Sequence, residues 1–208
     1  MERTKVLANL FGAVHSFDDG TGLFIVQPNR VGFGVIAAPL AGGDAATQQK
    51  LAMIMQAPWP PDTLMQFTLS ASPDLAGVTR AYGDLRRDCK DPLLQEFTRD
   101  RLAFLTQGAD QPVDASGMQL REVHLVISVQ IPYSGIAPDE SVLSRIDDLR
   151  TTFEQSLRSA GFSYSRLTPG RYLRFMSAIL NQDADASWRR TVSPSYDDTK
   201  LVCQQVLD

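Results

Sequence analysis

The sequence predicts an α+β fold: a largely antiparallel sheet covered by helices, organised as two similar α/β halves. Three observations carry this. Residues 63–71 and 121–131 alternate apolar and polar side chains with period two, the mark of half-buried strands. Val142, Leu143, Ile146, Leu149, Phe153 and Leu157 recur at helical spacing. Two short apolar runs, 23–27 and 31–37, flank a Pro28-Asn29 turn and read as a hairpin.

In chain order, the hairpin is followed by a loop at 39–43. Asp44 then caps a helix reaching about Gln56, and Pro58-Trp59-Pro60-Pro61 stops it because proline cannot continue the helical ladder. In the strand 63–71, Met65, Phe67, Leu69 and Ala71 share one face. Leu75, Val78, Tyr82 and Leu85 step by three, four and three, one face of a helix, and a second helix restarts at Pro92 and runs to about Thr106. The clearest strand carries Val123, Leu125, Ile127, Val129 and Ile131 on one side. Pro138-Asp139 opens the clearest helix, and Gly161 stands where its C-terminal cap belongs. A short strand at 162–167, a helix from Pro169 to about Leu180, and the beginning of a strand at 201–207 complete the pattern. Residues 1–107 form the first half, 118–181 the second, and 182–208 a polar connector leading into that last strand. The expected layering has the helices on one face of the sheet.

The chemistry is mostly told by exclusion. A formal net charge of −4 is the wrong sign for a nucleic-acid module, whose non-specific affinity comes from phosphate neutralisation. No run approaches the roughly 20 apolar residues of a membrane-spanning helix, and no secretory leader is legible, so a cytoplasmic chain is expected. None of the lysines, Lys5, Lys50, Lys90 and Lys200, follows a glycine, so a P-loop is absent. Gly32-Phe33-Gly34-Val35-Ile36-Ala37 fits a loose dinucleotide pattern, yet it lies inside a strand with no helix after it; the expectation is a flat patch where other groups pack closely. His15 and His124 belong to no metal-ligand spacing, and Cys89 and Cys203 lack a neighbouring Cys or His. No cofactor, metal or catalytic residue is therefore assigned. Trp188, Arg189 and Arg190 form a candidate partner-binding group, since Trp and Arg are common interface anchors.

Several blocks fall in a telling order. They are Phe17-Asp18-Asp19 with Gly22-Leu23-Phe24; Val31-Gly32-Phe33-Gly34 with Pro39-Leu40-Ala41-Gly42; and Pro61-Asp62-Thr63-Leu64-Met65-Gln66-Phe67 with Ala71-Ser72-Pro73-Asp74 and Tyr82. Arg99-Asp100-Arg101-Leu102-Ala103-Phe104-Leu105 follows, then the strand 123–132, the helix segment 149–157, Ser159-Ala160-Gly161 and residues 171–180. Together these resemble the N-terminal domain of the TraC-type ATPases of conjugative type IV secretion systems. The resemblance implies a non-catalytic docking and oligomerisation domain, peripheral to the cytoplasmic face of the inner membrane. Its partners would be inner-membrane components of the secretion channel and other copies in an ATPase oligomer. It further implies that the chain is the N-terminal piece of a longer parent, with ATP and magnesium belonging to that parent's motor, which powers pilus assembly and DNA transfer.

Two other readings stand beside it. One is a small α+β enzyme using Cys89 or His124. The other is a DNA-binding accessory factor working through residues 145–174, which hold six arginines against Asp147, Asp148 and Glu154.

Overall fold

The computed structural model describes residues 14–26, 29–40, 42–181, 183, 186–189 and 196–205. Strands β1 (Val14–Asp18), β2 (Leu23–Val26) and β3 (Arg30–Ala37) form a meander, and helix α1 (Ala45–Met55) follows. Strand β4 (Leu64–Ser72) leads into helices α2 (Ala76–Asp84) and α3 (Pro92–Gly108). Then come β5 (Glu122–Pro132), α4 (Glu140–Ser159), β6 (Tyr164–Arg166), α5 (Pro169–Leu180) and, after a 3-10 turn at Ser187–Arg189, the short α6 (Val202–Gln205).

Every strand pairing is antiparallel, in the order β1-β2-β3-β5-β4, with β6 beside the second half of β3. β5 thus inserts between β3 and β4, so the 1–107 and 118–181 segments share one sheet. Asp44 and Asp139 cap α1 and α4, accepting backbone N–H bonds from Thr47 and Val142. Gly161, at φ +89°, closes the loop after α4 in the left-handed conformation that glycine adopts without a Cβ penalty.

The main core lies on one face, where Val31, Phe33, Val35, Ile127, Val129 and Ile131 meet Ile54 of α1 and Ile146, Phe153 and Leu157 of α4. Helices on this face alone were expected, but α5 covers the other one. Tyr172 and Leu167 pack with Phe24, Val26 and Ile36 there. The reason is visible in the glycines: a Cβ on Gly34 would come within 3.0 Å of Leu167 Cδ2, so bare backbone makes room for the segment entering α5. Gly32 and Gly34 sit in β3 opposite β5.

Two further expectations change. Met65, Phe67, Leu69 and Ala71 do share a face, yet β4 is the edge strand, and Phe67 and Leu69 remain exposed because the packed helices cover β3 and β5 instead. The strand expected at 201–207 gives way to the helical turn α6 over its described part. There the Gln205 amide donates to the Asp197 and Lys200 carbonyls, and its oxygen accepts from Asp197 N.

Candidate functional site

Among the described residues, the α2–α3 hairpin is an extended apolar surface that the rest of the fold leaves uncovered. Ser72 at the end of β4 accepts a bond from Asp74 N, and Asp74 in turn accepts from Ala76 N, turning the chain into α2. Asp91 caps α3 through Leu93 N and Leu94 N, with Pro92 in the first turn, where its missing N–H has no helical partner to lose. The hairpin base is pinned tightly. Leu120 N donates to Gly108 O at 2.7 Å, Arg121 reaches Ala109 O, and a Cβ on Gly108 would strike both Leu120 and Val113 at 2.7 Å.

Away from that base the helices pack mainly on each other. α2 buries no residue and α3 buries only Gly108. Thr98, Leu102 and Leu105 are half-buried, while Leu93, Leu94, Phe97 and Phe104 stand out at 42–58% exposure and Leu85 at 83%. An exposed apolar group of this size, held on a rigid hairpin, is the usual physical signature of a protein-contact surface. Arg101 lies over the Phe104 ring at 5.3 Å, and Arg86 over Tyr82 at 3.8 Å, so cations border the patch. The sequence pattern places these residues on helices; it does not say that nothing covers them.

At the other end of α2 is a charged groove of about 510 Å³, between α2, β5 and α5. The Asp74–Arg174 ion pair spans it, with Arg174 Nη2 donating to Asp74 Oδ1 at 2.8 Å and both side chains only about one-sixth exposed. Glu122 and His124 face the same groove 3.7 Å apart, beside Arg80 and Arg171. Burial pushes the Glu122 carboxyl above the usual range and Asp74 adds to the rise, while His124 opposes it. A second, more apolar groove of about 530 Å³ runs between α5 and the sheet, floored by Gln66, Thr68 and Ser128 and walled by Phe175, Met176 and Ile179.

Cys89 sits in the turn between α2 and α3, whereas His124 faces the groove at the start of α2. The nine residues of α2 separate these ends by about 13 Å at 1.5 Å per residue. The structure therefore does not bring the two together. Among the described residues no group of three or more His, Cys, Asp or Glu is arranged to hold a metal ion.

Trp188 is buried against Ala178 and Ala186, its indole N–H donating to Asn181 O at 2.6 Å. Arg174 and Arg189 lie over its ring, and Arg189 is bonded to Asp110 at 2.8 Å. These two thus tie α5 to the base of the α2–α3 hairpin; Arg190 lies outside the described residues. Most arginines of the 145–174 stretch are likewise engaged internally. Arg150 holds Asp147 and Gly22 O, Arg166 grips Glu154 with two bonds, Arg171 reaches Arg166 O, and Arg158 lies over Tyr164.

A family model described as TraC protein matches residues 13–208, nearly the entire chain. The chain belongs to the TraC protein family. As a TraC-family protein it is a component connected with type IV secretion and conjugation. No curated protein and no solved structure matches it. No helix among its described residues is long and apolar enough to cross a membrane.

Proposed function

We propose that this TraC-family chain is the non-catalytic docking and oligomerisation domain of a conjugative secretion ATPase, acting at the cytoplasmic face of the inner membrane. One observation carries the reading: α3 extends from a pinned base and holds Leu93, Leu94, Phe97 and Phe104 in solvent. A helix that contributes so little to its own core gains stability when a partner covers its apolar stripe, the helix-in-groove mode of recognition. The partners that fit are inner-membrane proteins of the secretion channel with an apolar groove. ATP and magnesium are work for the motor of the parent ATPase, whose turnover drives pilus assembly and DNA transfer.

The test is co-purification of channel proteins with the chain from detergent-solubilised membranes of cells that express the apparatus. A Leu93→Glu/Phe97→Glu variant, with circular dichroism and melting like the unaltered protein, is expected to lose the membrane partners by at least about tenfold, since two buried charges would face an apolar groove. Equal recovery of channel proteins with the unaltered chain and the folded variant would remove α3 as the docking element.

A further inference from the structure

We infer that β4 is a self-pairing edge, through which two copies of this chain join antiparallel about Thr68 and continue one sheet across both molecules. This rests on the self-association half of the reading above and is independent of α3 docking.

Exposed sheet edges are normally blunted by charge, proline, a bulge or a covering element, because unpaired backbone groups template further strands. Among the described residues, β4 has none of these. Its sequence, Leu-Met-Gln-Phe-Thr-Leu-Ser-Ala-Ser, contains no charge and no proline, and it pairs with β5 over all nine residues without a register shift. The opposite edge is protected. β1 carries a register shift between Val14 and Ser16, ends in Asp18, and has Tyr196 packed edge-on against Phe17.

The choice of a second copy follows from how β4 reads against itself. Only a two-fold axis through Thr68 pairs all nine residues, since Leu64 then faces Ser72 of the second copy. In that register Phe67 faces Leu69 and Met65 faces Ala71 on the apolar side, while Gln66 faces Ser70 on the other. Thr68 facing itself is a stabilising Thr–Thr pair, Phe67 and Leu69 bury apolar surface on each other, and no like charges oppose each other. Phe67 and Leu69 are 47% and 68% exposed, and Val123 of the neighbouring β5 adds to the same uncovered patch.

The area sets the strength. Nine residues at about 3.4 Å each, with a sheet about 10 Å thick, give an edge of roughly 300 Å² per copy, or about 600 Å² in total. With the Phe67, Leu69 and Val123 patch this approaches the roughly 1,000–1,200 Å² at which specific interfaces begin. The dimer is therefore weak and concentration-dependent, with a dissociation constant on the order of 10 µM.

Sedimentation velocity on the 208-residue chain, from about 1 to about 200 µM, reads the association. Disulfide trapping reads the register on a Cys89→Ser/Cys203→Ser background. Facing residues have Cα atoms about 4.5–5.5 Å apart, within the span a disulfide bridges, so Thr68→Cys is expected to cross-link. Ser70→Cys alone is expected to cross-link at least about tenfold less, because its counterpart lies four residues, or about 14 Å, along the strand. Leu69→Lys, at an exposed position, is expected to weaken association at least about tenfold, leaving the melting temperature unchanged. A monomer at every concentration would overturn the proposal together with self-association, and would leave the edge to a strand from another protein. A dimer that survives Leu69→Lys, or that traps Ser70→Cys as well as Thr68→Cys, would keep self-association and overturn β4 as its site.

Discussion

Phe153 and Phe97 each lie on an apolar helical stripe, and the structure assigns them opposite energetics. Phe153 of α4 is 2% exposed, with its ring 5.6 Å from Phe33 and 6.0 Å from Trp59 by centroid. Phe→Ala in a core costs about 3–5 kcal/mol, and the value rises with the volume the surroundings fail to refill. Here refilling is hindered. Phe33 is itself buried in β3, and the Trp59 indole is held by its N–H bond to Ile54 O at 2.9 Å. Each lost aromatic pair adds about 0.5–1.5 kcal/mol to the transfer loss. Phe153→Ala should therefore cost about 4–5 kcal/mol, the upper part of the range. With a urea slope near 2 kcal/mol/M, the midpoint falls by about 2 M. Phe97→Ala, on the uncovered side of α3, should stay within about 0.5 kcal/mol. Urea unfolding followed by Trp59 and Trp188 fluorescence and by circular dichroism measures both. A Phe153→Ala loss under about 1.5 kcal/mol, or a Phe97→Ala loss above it, would refute the assignment of the core to α4 and of the free surface to α3.

Other consequences concern the charged groove and can be measured on the same protein. Removing Asp74 leaves Arg174 in a largely desolvated site, so Asp74→Ala should destabilise by roughly 2–4 kcal/mol, more than the double variant Asp74→Ala/Arg174→Leu. Equal losses would mean that leaving the Arg174 charge without Asp74 carries no burial penalty. The raised Glu122 pKa means the folded state holds its proton more tightly than the unfolded chain does. Glu122 therefore weakens the fold as pH rises from the ordinary carboxylate range through its folded value. His124, Asp74, Arg174, Arg80 and Arg171 face the same groove and set the size of the effect. Glu122→Gln should remove that decline and match or exceed the unaltered protein's urea midpoint at pH 7. A pH profile with the same slope for both proteins would show that burial does not govern Glu122.

Local signals were legible wherever chain chemistry acts within a few residues. Asp44 and Asp139 cap the helices they precede, Pro92 and Pro169 open theirs, and the 121–131 alternation becomes β5 almost residue for residue. The family blocks, too, lie in the sequence itself, and the TraC match spans them. β1 was missed because its register shift between Val14 and Ser16 breaks the period-two pattern that identifies a strand. The last strand was misread because a two-residue amide cluster, Gln204 and Gln205, closes a local turn on Asp197 and Leu201 instead.

Most of the elements, their order, the α+β class and the secretion family are legible in the residues alone; β1 and the turn at 202–205 are not. Tertiary structure alone decided which apolar stripes are core. Periodicity records that a face is apolar, while burial depends on what arrives from distant parts of the chain. β5 comes in from the second half to lie between β3 and β4, which puts Ile127 and Val129 beneath α4 and leaves Phe67 and Leu69 at an open edge. The same rule separates Trp188, closed over by Ala178 and Asn181, from Phe97, which stands in solvent, although both are large aromatic residues next to apolar helix positions.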